Sequence, residues 1–472
     1  MAAPSRDANS LFRSGARSAE MLAQINWASL AMLGASGILS SDVCIELAEG
    51  MRQLEGQPDH AQNAPADYLD YEALLAAQVG AKASLLHLGR SRQDIAATIS
   101  RMNLRLDALQ ACQQLLAVRE ALVMQASLHL QTVVPSYTHG MQAQPTTWAH
   151  YLLAFSDALG RHVRRLQQAY DGINQCPLGA AAVTTSSYPV DRELLARLLG
   201  FDGLVENSYD ANHLGPVDSC LELAAIFSGF AIQVGQLAQD LHAACSLVRP
   251  WVALDGGNLM GRSSLMPQKR NPAALEQLRA QSALLLAECQ APVYLAHNVR
   301  TGMFDYRAYD PLPSKRQRAV LGLLLQVVQG LRIDADAAQA EVDAEFSTLT
   351  ELADGMVQSG QVAFRQAHEF TSALADLARR QRCTLLALGY PKVSSLYETQ
   401  HGQLFPLSEA QFIQCLNAHT MIERRKGRGG PQLAEVQRMI ERSGVELESQ
   451  NLWQQERETA LKTALSKLRE AY

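Results

Sequence analysis

The chain has 472 residues, with 41 Lys and Arg against 47 Asp and Glu, which gives a formal net charge of −6. This acidic balance disfavours a general nucleic-acid-binding protein. No run of about 18 apolar residues is free of polar interruptions, and the N-terminus lacks the apolar core of a secretory signal, so we expect neither a membrane span nor export. Eight scattered cysteines without a CxxC pair indicate buried free thiols in a reducing cytoplasm.

Apolar residues recur at three- and four-residue steps over most of the chain, which predicts long helices packed lengthwise in an all-α bundle. No clear series of alternating strands and no internal repeat is evident in the sequence. One run is apolar on nearly every face and therefore needs packing partners on several sides. In chain order, the runs cover residues 95–130, 146–169, 217–248 (the apolar one), 272–291 and 314–331.

Three polar segments rich in Pro, Gly, Ser and Thr interrupt the helical pattern. In the third, Ser263, Lys269 and Asn271 precede a helix that is predicted to begin near Pro272, so a hydroxyl, a cation and an amide lie beside free backbone amides. This combination suits an anion or a carboxylate, and the alternative is an ordinary polar surface loop. Glu276, in the new helix, faces back toward this loop in the functional interpretation. The segments cover residues 56–68, 175–192 and 254–272.

Two further segments carry polar residues near helix ends. Thr138 and His139 lie in a short break between two long helices, where an imidazole reaches a shared cavity. The alternative is a histidine of the surface or the core. Ser91, Arg92 and Gln93 begin the first long helix, where Ser91 is also a suitable N-cap.

The sequences of these segments, and their order in the chain, resemble those of a known family. SSLMPQKRNP at residues 263–272 resembles the SSxMPxKxNP part of the fumarase/aspartase superfamily signature. YTHGMQAQPTTW resembles the YTHxQxAQP segment of argininosuccinate lyases, and GRSRQD resembles their GRSRND. PLGAAAVTTSSYPVDR and FRQAHE are similar to two more of their segments, and the similarity extends from about residue 70 to the end of the chain.

The resemblance implies an all-α, three-domain fold, in which the long central helices of four subunits form a twenty-helix core in a homotetramer. We place the domains at residues 1–95, 96–346 and 347–472, with the catalytic loop at residues 254–272. Each active site would combine segments of three subunits, which explains how polar segments that are distant in sequence meet in space.

The resemblance also implies the chemistry, since members of the superfamily eliminate an amine or hydroxyl group from a succinyl-bearing substrate and usually release fumarate. Ser263 is then the base, acting as an alkoxide, and Lys269 and Asn271 bind the carboxylate that gains charge. His139 and Glu276 match a His–Glu pair of the family that orients the substrate or delivers a proton. The residues that would hold the succinyl carboxylates are Ser91, Arg92, Gln93 and Thr138.

The partners implied are a small dicarboxylate or succinyl-amine substrate, fumarate, and other copies of the chain. Neither a metal ion nor an organic cofactor is expected, and neither a nucleic acid nor a membrane.

Three departures from the family concern the loop and the segments around it. Arg262 stands where a glycine normally precedes the first signature serine, so we expect the loop to bend at Gly261 instead. Gln93 replaces an asparagine and places its amide on an arm that is longer by one methylene. HLGPVD at residues 213–218 replaces an SDRD stretch, and its arginine is lost.

The fourth departure affects the segment that holds the arginine part of argininosuccinate in the family. There YNxDxQxDK becomes YDPLPSKRQ, in which Tyr309 is retained and Ser314 and Gln317 replace a glutamine and a lysine. We therefore expect a carbon–nitrogen lyase for an N-substituted aspartate other than argininosuccinate, whose amine is another amino acid, a diamine or a hydroxylamine-like group. The alternatives are a genuine argininosuccinate lyase, an adenylosuccinate- or aspartate-cleaving enzyme, and a non-catalytic structural protein similar to lens crystallins.

Overall fold

The structure is a computed structural model, and it describes residues 15–57, 64–256, 258–303, 312–360 and 362–468. Within these ranges the fold is all-α, as expected, with short two-stranded sheets between the helices. The helices are α1 Gly15–Ala35, α2 Ser41–Glu55, α3 Tyr68–Val79, α4 Arg92–Leu128, α5 Trp148–Ile173, α6 Arg192–Leu198, α7 Ser208–His213, α8 Gly215–Cys245, α9 Ala273–Glu288, α10 Ala291–Ala296, α11 Ser314–Gly330, α12 Ala335–Ala344, α13 Leu349–Gly360, α14 Phe364–Gln381, α15 Leu385–Leu388, α16 Tyr390–His401, α17 Glu409–Leu416, α18 Ala418–Glu423 and α19 Leu433–Lys467.

A 3₁₀ helix at Gly80–His87 follows α3. The short strands pair as β1 with β2, β3 with β4, β5 with β8 and β6 with β7, and only β3 and β4 run parallel. The strands are β1 Val133–Thr138, β2 Met141–Thr147, β3 Gln175–Cys176, β4 Gly203–Leu204, β5 Val252–Leu254, β6 Gly261–Arg262, β7 Arg270–Asn271 and β8 Leu331–Ile333.

The helices α4, α5, α8, α9, α11 and α19 form the central bundle around the largest hydrophobic core. Five of them are the predicted long runs, and their ends agree with the sequence pattern to within about a turn. The predicted break before α5 differs, because residues 133–147 form a β-hairpin and Thr146 belongs to a strand. The β-branched and aromatic side chains in this segment explain the strand conformation.

Two smaller hydrophobic cores flank the bundle. One joins α1, α2, α3 and α6 to Ile95 and Met102 of α4, and the other lies within residues 352–416. The last helix returns to the bundle, where the fully buried Arg119 of α4 donates to Glu446 of α19 over 3.0 Å. The domain boundaries at residues 95 and 346 stay a prediction.

The helix α8 is apolar on most of its faces, with a mean hydropathy of 1.4 over its most apolar 18-residue window. By length and composition alone it is able to cross a membrane, so the expectation that composition excludes a span was too strong. Half of that window is buried inside the protomer, where α8 packs against α5 and α9. This packing is typical of a core helix in a bundle, although Ile232 on α8 remains 51% exposed in one protomer.

Candidate active site

The predicted catalytic loop is anchored at its base by a short sheet. β5 pairs with β8, and the backbone N–H of Asp255 donates to the carbonyl of Gly330 over 2.7 Å. A Cβ at Gly330 would lie 2.6 Å from the Asp255 carbonyl oxygen, so the close approach requires glycine here. The backbone N–H of Ala274 donates to the carbonyl of Leu259 over 3.1 Å and closes the loop where α9 begins.

Ser263 lies in a small hairpin formed by β6 and β7. Its Oγ accepts hydrogen bonds from the backbone N–H groups of Leu265 over 3.3 Å and Met266 over 3.0 Å. Two backbone donors on one hydroxyl oxygen stabilise negative charge at that atom. This arrangement is able to support negative charge on the Ser263 oxygen. Lys269, in the same turn, is exposed, and Asn271 lies in β7.

The arginine before Ser263 adopts an ordinary extended conformation. Arg262 pairs with Arg270, and Gly261 pairs with Asn271 in the antiparallel ladder. Neither Arg262 nor Gly261 has a positive φ angle. The expected bend at Gly261 is therefore wrong, because the backbone angles at both positions suit any L-residue.

His139 lies at the tip of the hairpin β1–β2. His139 and Gly140 form its two-residue turn with φ angles of +56° and +76°, and Thr138 pairs with Met141 on either side. Two successive positive φ angles match the twist of a tight hairpin, and histidine enters this region more readily than most residues. Both Thr138 and His139 are exposed in one protomer, so their side chains are available for a ligand.

The segment Ser91–Gln93 forms the start of α4. Ser91 is the N-cap, and its Oγ accepts a hydrogen bond from the Gln93 backbone N–H over 3.2 Å. The Arg92 guanidinium donates to Asp67 over 2.7 Å. The Gln93 side-chain Nε2 donates to the carbonyl of Asn212 over 3.1 Å. Ser91 therefore caps α4, as the sequence suggested. Because the Ser91 oxygen only accepts in this contact, the hydroxyl proton remains available to a ligand.

A buried carboxylate supports this helix start. Asp94 is fully buried and accepts hydrogen bonds from the backbone N–H groups of Ser91, Gly179 and Ala181 over 2.8 to 3.0 Å. Burial raises the pKa of the Asp94 carboxyl to about 6, although the backbone donors act to lower it. Asp94 therefore ties the polar segment at residues 175–192 to the start of α4.

The predicted site residues lie at opposite ends of the bundle in one protomer. Helix α4 has 37 residues and is therefore about 54 Å long. Ser91–Gln93 lie at its N-terminal end, and the hairpin with His139 follows its C-terminal end. Trp251, just before β5, packs edge-on against Trp148 at a ring separation of 5.8 Å, so the loop with Ser263 is anchored at the hairpin end. One protomer does not bring these groups together.

The predicted His139–Glu276 pair is also separate within one protomer. In the described part of the chain, no hydrogen bond or ion pair joins the two side chains. Glu276 is 3.9 Å from the Nε2 atom of His242 on α8, a histidine that the sequence analysis did not select. The antiparallel packing of α8 and α9 creates this contact, and no motif in the sequence indicates it.

The segment predicted to hold the amine part of the substrate, residues 309–317, is partly buried where the structure describes it. Tyr309 lies outside the described residues. Ser314 donates through its Oγ to Asp107 on α4 over 2.7 Å. Gln317 is 1% exposed, and its Nε2 donates to the Oε1 of Gln114 over 3.3 Å. Both side chains are thus engaged by α4, and contact of Gln317 with a substrate rests on the sequence match alone. Among the described residues, no group of three or more His, Cys, Asp or Glu side chains is arranged to hold a metal ion.

Comparison with known proteins identifies the class of enzyme. A family model described as lyase matches residues 60–285, and one described as argininosuccinate lyase C-terminal matches residues 346–423. The argininosuccinate lyase of Methanosarcina acetivorans is 31% identical over 435 residues, which cover 90% of this chain and 86% of that protein. That of Geobacillus thermodenitrificans is 31% identical over 425 residues, covering 87% of this chain and 88% of that protein.

Solved structures agree with the sequence relatives. An EDDS lyase variant with bound fumarate has a TM-score of 0.88 and 28% identity, covering 100% of this chain and 96% of that chain. These matches define an enzyme of the lyase class that cleaves a carbon–nitrogen bond and releases fumarate. The chain belongs to the fumarase/aspartase superfamily, in the branch similar to argininosuccinate lyase.

Proposed function

We propose that the protein interconverts an N-substituted aspartate with fumarate and a free amine, and that its amine is not arginine. The amine is a diamine, another amino acid or a hydroxylamine-like compound. The observation that carries the proposal is the position of Ser263 Oγ under two backbone N–H donors in a loop that also presents Lys269 and Asn271.

In the elimination direction, the Ser263 alkoxide removes the proton from the carbon next to a carboxylate. The electron pair moves into that carboxylate and gives a doubly negative aci-carboxylate, which Lys269 and Asn271 stabilise. The electrons then return to form the carbon–carbon double bond, the carbon–nitrogen bond breaks, and the nitrogen leaves with a proton. A fixed donor toward such an oxyanion contributes about 3 kcal/mol to transition-state stabilisation.

The remaining groups bind and orient the substrate. Ser91, Arg92, Gln93 and Thr138 hold the carboxylates of the succinyl part. His139, with Glu276 of another subunit, delivers the proton to the leaving nitrogen or orients the substrate. Because Ser91–Gln93 begin α4, which is about 54 Å long, and the hairpin with His139 follows its other end, these groups meet between copies of the chain.

The assembly that this requires is a homotetramer in the cytoplasm, with each site shared between subunits. The exposed apolar surface of α8, including Ile232, supports burial against other copies. The amine pocket then includes Tyr309 and Ser314. Replacement of the family's glutamine and lysine by Ser314 and Gln317 removes a long donor and a positive charge from that side, which supports a different amine.

The second candidate is argininosuccinate cleavage itself. It is favoured by the relatives of that name at about 31% identity over most of the chain. The two candidates share the base and the carboxylate groups and differ only in the amine. A product analysis with arginine present therefore separates them.

The proposed base is tested by comparing Ser263→Ala with Ser395→Ala, an exposed serine of the C-terminal region. We expect Ser263→Ala to keep the oligomer size on gel filtration. Turnover should fall by about three orders of magnitude or more, because the base is lost while the groups that bind the substrate remain. Ser395→Ala retains wild-type turnover. Near-normal turnover of Ser263→Ala would remove Ser263 as the base.

A further inference from the structure

The helix α7 lies between the two halves of the proposed substrate site. Its last residues belong to the stretch in which NSYDANHLGPVD replaces the family's NSLDAV and SDRD. Asn212 is fully buried, and His213 is 8% exposed. The helix has six residues and contacts segments on both sides, through the Asn212 backbone and through the Tyr209 and Asn212 side chains.

On the carboxylate side, α7 holds Gln93. The carbonyl of Asn212 accepts the Gln93 Nε2 at 3.1 Å, and because a carbonyl only accepts, this contact fixes the orientation of the Gln93 amide. The Asn212 Nδ2 in turn donates to the carbonyls of Ala181 and Ala182 over 2.8 and 3.0 Å. The Ala181 backbone N–H donates to the carboxylate of Asp94, which directly follows Gln93 in the sequence.

These hydrogen bonds form a closed network that joins the start of α4, residues 179–182 and α7. Gln93, whose side chain is one methylene longer than the family's asparagine, makes its contact with the Asn212 carbonyl through its terminal amide. The Asn212 side chain holds its own backbone against residues 181–182, and the carbonyl of that backbone accepts from Gln93, so both departures from the family bear on one contact.

On the amine side, α7 holds the segment that leads into the residues of the amine pocket. The Tyr209 hydroxyl and the Thr301 Oγ1 share a hydrogen bond of 2.6 Å. The His213 ring packs on Gly302, where a Cβ would lie 3.5 Å from its Cε1, and edge-on against Tyr209 at 4.7 Å. Because Gly302 has a φ angle of +82°, this segment has a sharp and fixed turn.

We propose that α7 is the specificity element of this enzyme: Asn212 positions Gln93 for the dicarboxylate, and Tyr209 with His213 positions residues 300–303, which shape the amine pocket. The inference rests on the proposed function, since it assigns separate binding roles to the two sides of that site. Asn212, Tyr209 and His213 are positioning residues, because they act through neighbouring groups.

The test separates the two sides kinetically. Asn212→Ala keeps the backbone carbonyl that accepts from Gln93 but removes the Nδ2 hydrogen bonds to the Ala181 and Ala182 carbonyls, which hold that carbonyl in place. It is expected to raise the KM for fumarate about tenfold, with kcat changed less than about twofold. Tyr209→Phe is expected to change the ratio of kcat/KM between two accepted amines about fivefold with the KM for fumarate unchanged. The half-buried Asn103→Ala on α4 and the exposed Tyr294→Phe are the controls.

A general loss of folding would move all parameters together, so melting temperatures are measured beside the kinetics. If Asn212→Ala does not fold, Gln93→Asn shortens the side chain that donates to the Asn212 carbonyl, and Gln53→Asn, an exposed glutamine of α2, is its control. A fumarate KM in Gln93→Asn or Asn212→Ala within twofold of the controls would overturn the proposal, as would an unchanged amine ratio in Tyr209→Phe. A wild-type enzyme that joins no amine to fumarate contradicts the proposed function instead.

Discussion

Inactive protomers with defects at opposite ends of α4 are expected to restore activity when they are mixed. Arg92→Ala damages the carboxylate-binding segment at one end, and Ser263→Ala removes the base in the loop at the other end. The loop extends only about six residues beyond the contact between Leu259 and Ala274, or about 20 Å, and so does not cover the length of about 54 Å of α4.

The magnitude follows from counting intact sites. If each site takes the 91–93 segment from one subunit and the loop from another, random tetramers of an equal mixture contain about one quarter fully intact sites. The assay is turnover after joint refolding or co-expression of the two variants, with each variant alone as the baseline. We expect about a quarter of wild-type activity.

A matched control strengthens this result. Arg92→Ala mixed with Gln93→Ala places both defects in the same segment, so no site is intact and no activity returns. If the mixture of Arg92→Ala and Ser263→Ala stays at the baseline while gel filtration and mass analysis confirm mixed oligomers, the shared-site arrangement is wrong.

Three further predictions concern single positions. The pKa of buried Asp94 is raised from 3.8 to about 6, so the folded state holds this proton more tightly than the unfolded state. The resulting contribution to the free energy of unfolding is fully present below about pH 4 and is lost as pH rises through 6, by about 3 kcal/mol in total. The melting temperature of the wild type relative to Asp94→Asn should therefore rise from pH 7.5 to pH 5, and an unchanged difference contradicts this. Saturating fumarate should raise the melting temperature of the wild type and of the exposed control Lys462→Ala, but not of Lys269→Ala, which also tests the non-catalytic alternative. Gln317→Lys should destabilise the protein by about 3 kcal/mol, since it buries an ammonium group, and an unchanged melting temperature would show that the position opens to solvent.

The long helices are predictable from sequence because their apolar spacing is uninterrupted. α4 and α8 follow directly from it, and the capping residues around Ser91 mark where α4 begins. The hairpin around His139 is not predictable in this way. It has one short pair of strands between two helices, and its turn depends on two positive φ angles that the local sequence permits without requiring.

The polar segments of the site are visible in sequence, whereas their contacts are not. The motifs locate Ser263, Lys269 and His139, because their residue types and order are specific. The support from Asp94 and the contact between Gln93 and Asn212 join positions far apart in the chain, and the contact of Glu276 with His242 depends on how two helices align. Such contacts follow from packing, which a single sequence does not specify.

Whether this enzyme joins fumarate to an amine other than arginine is tested most directly by its products. Purified protein is incubated with fumarate, arginine and a panel of diamines, amino acids and hydroxylamine-like compounds, and the succinyl adducts are identified by mass spectrometry, with Ser263→Ala as the blank. We expect an adduct that contains an amine other than arginine and is absent from the blank, and its mass identifies the amine. A dominant arginine adduct would contradict the proposed function and make the protein an argininosuccinate lyase.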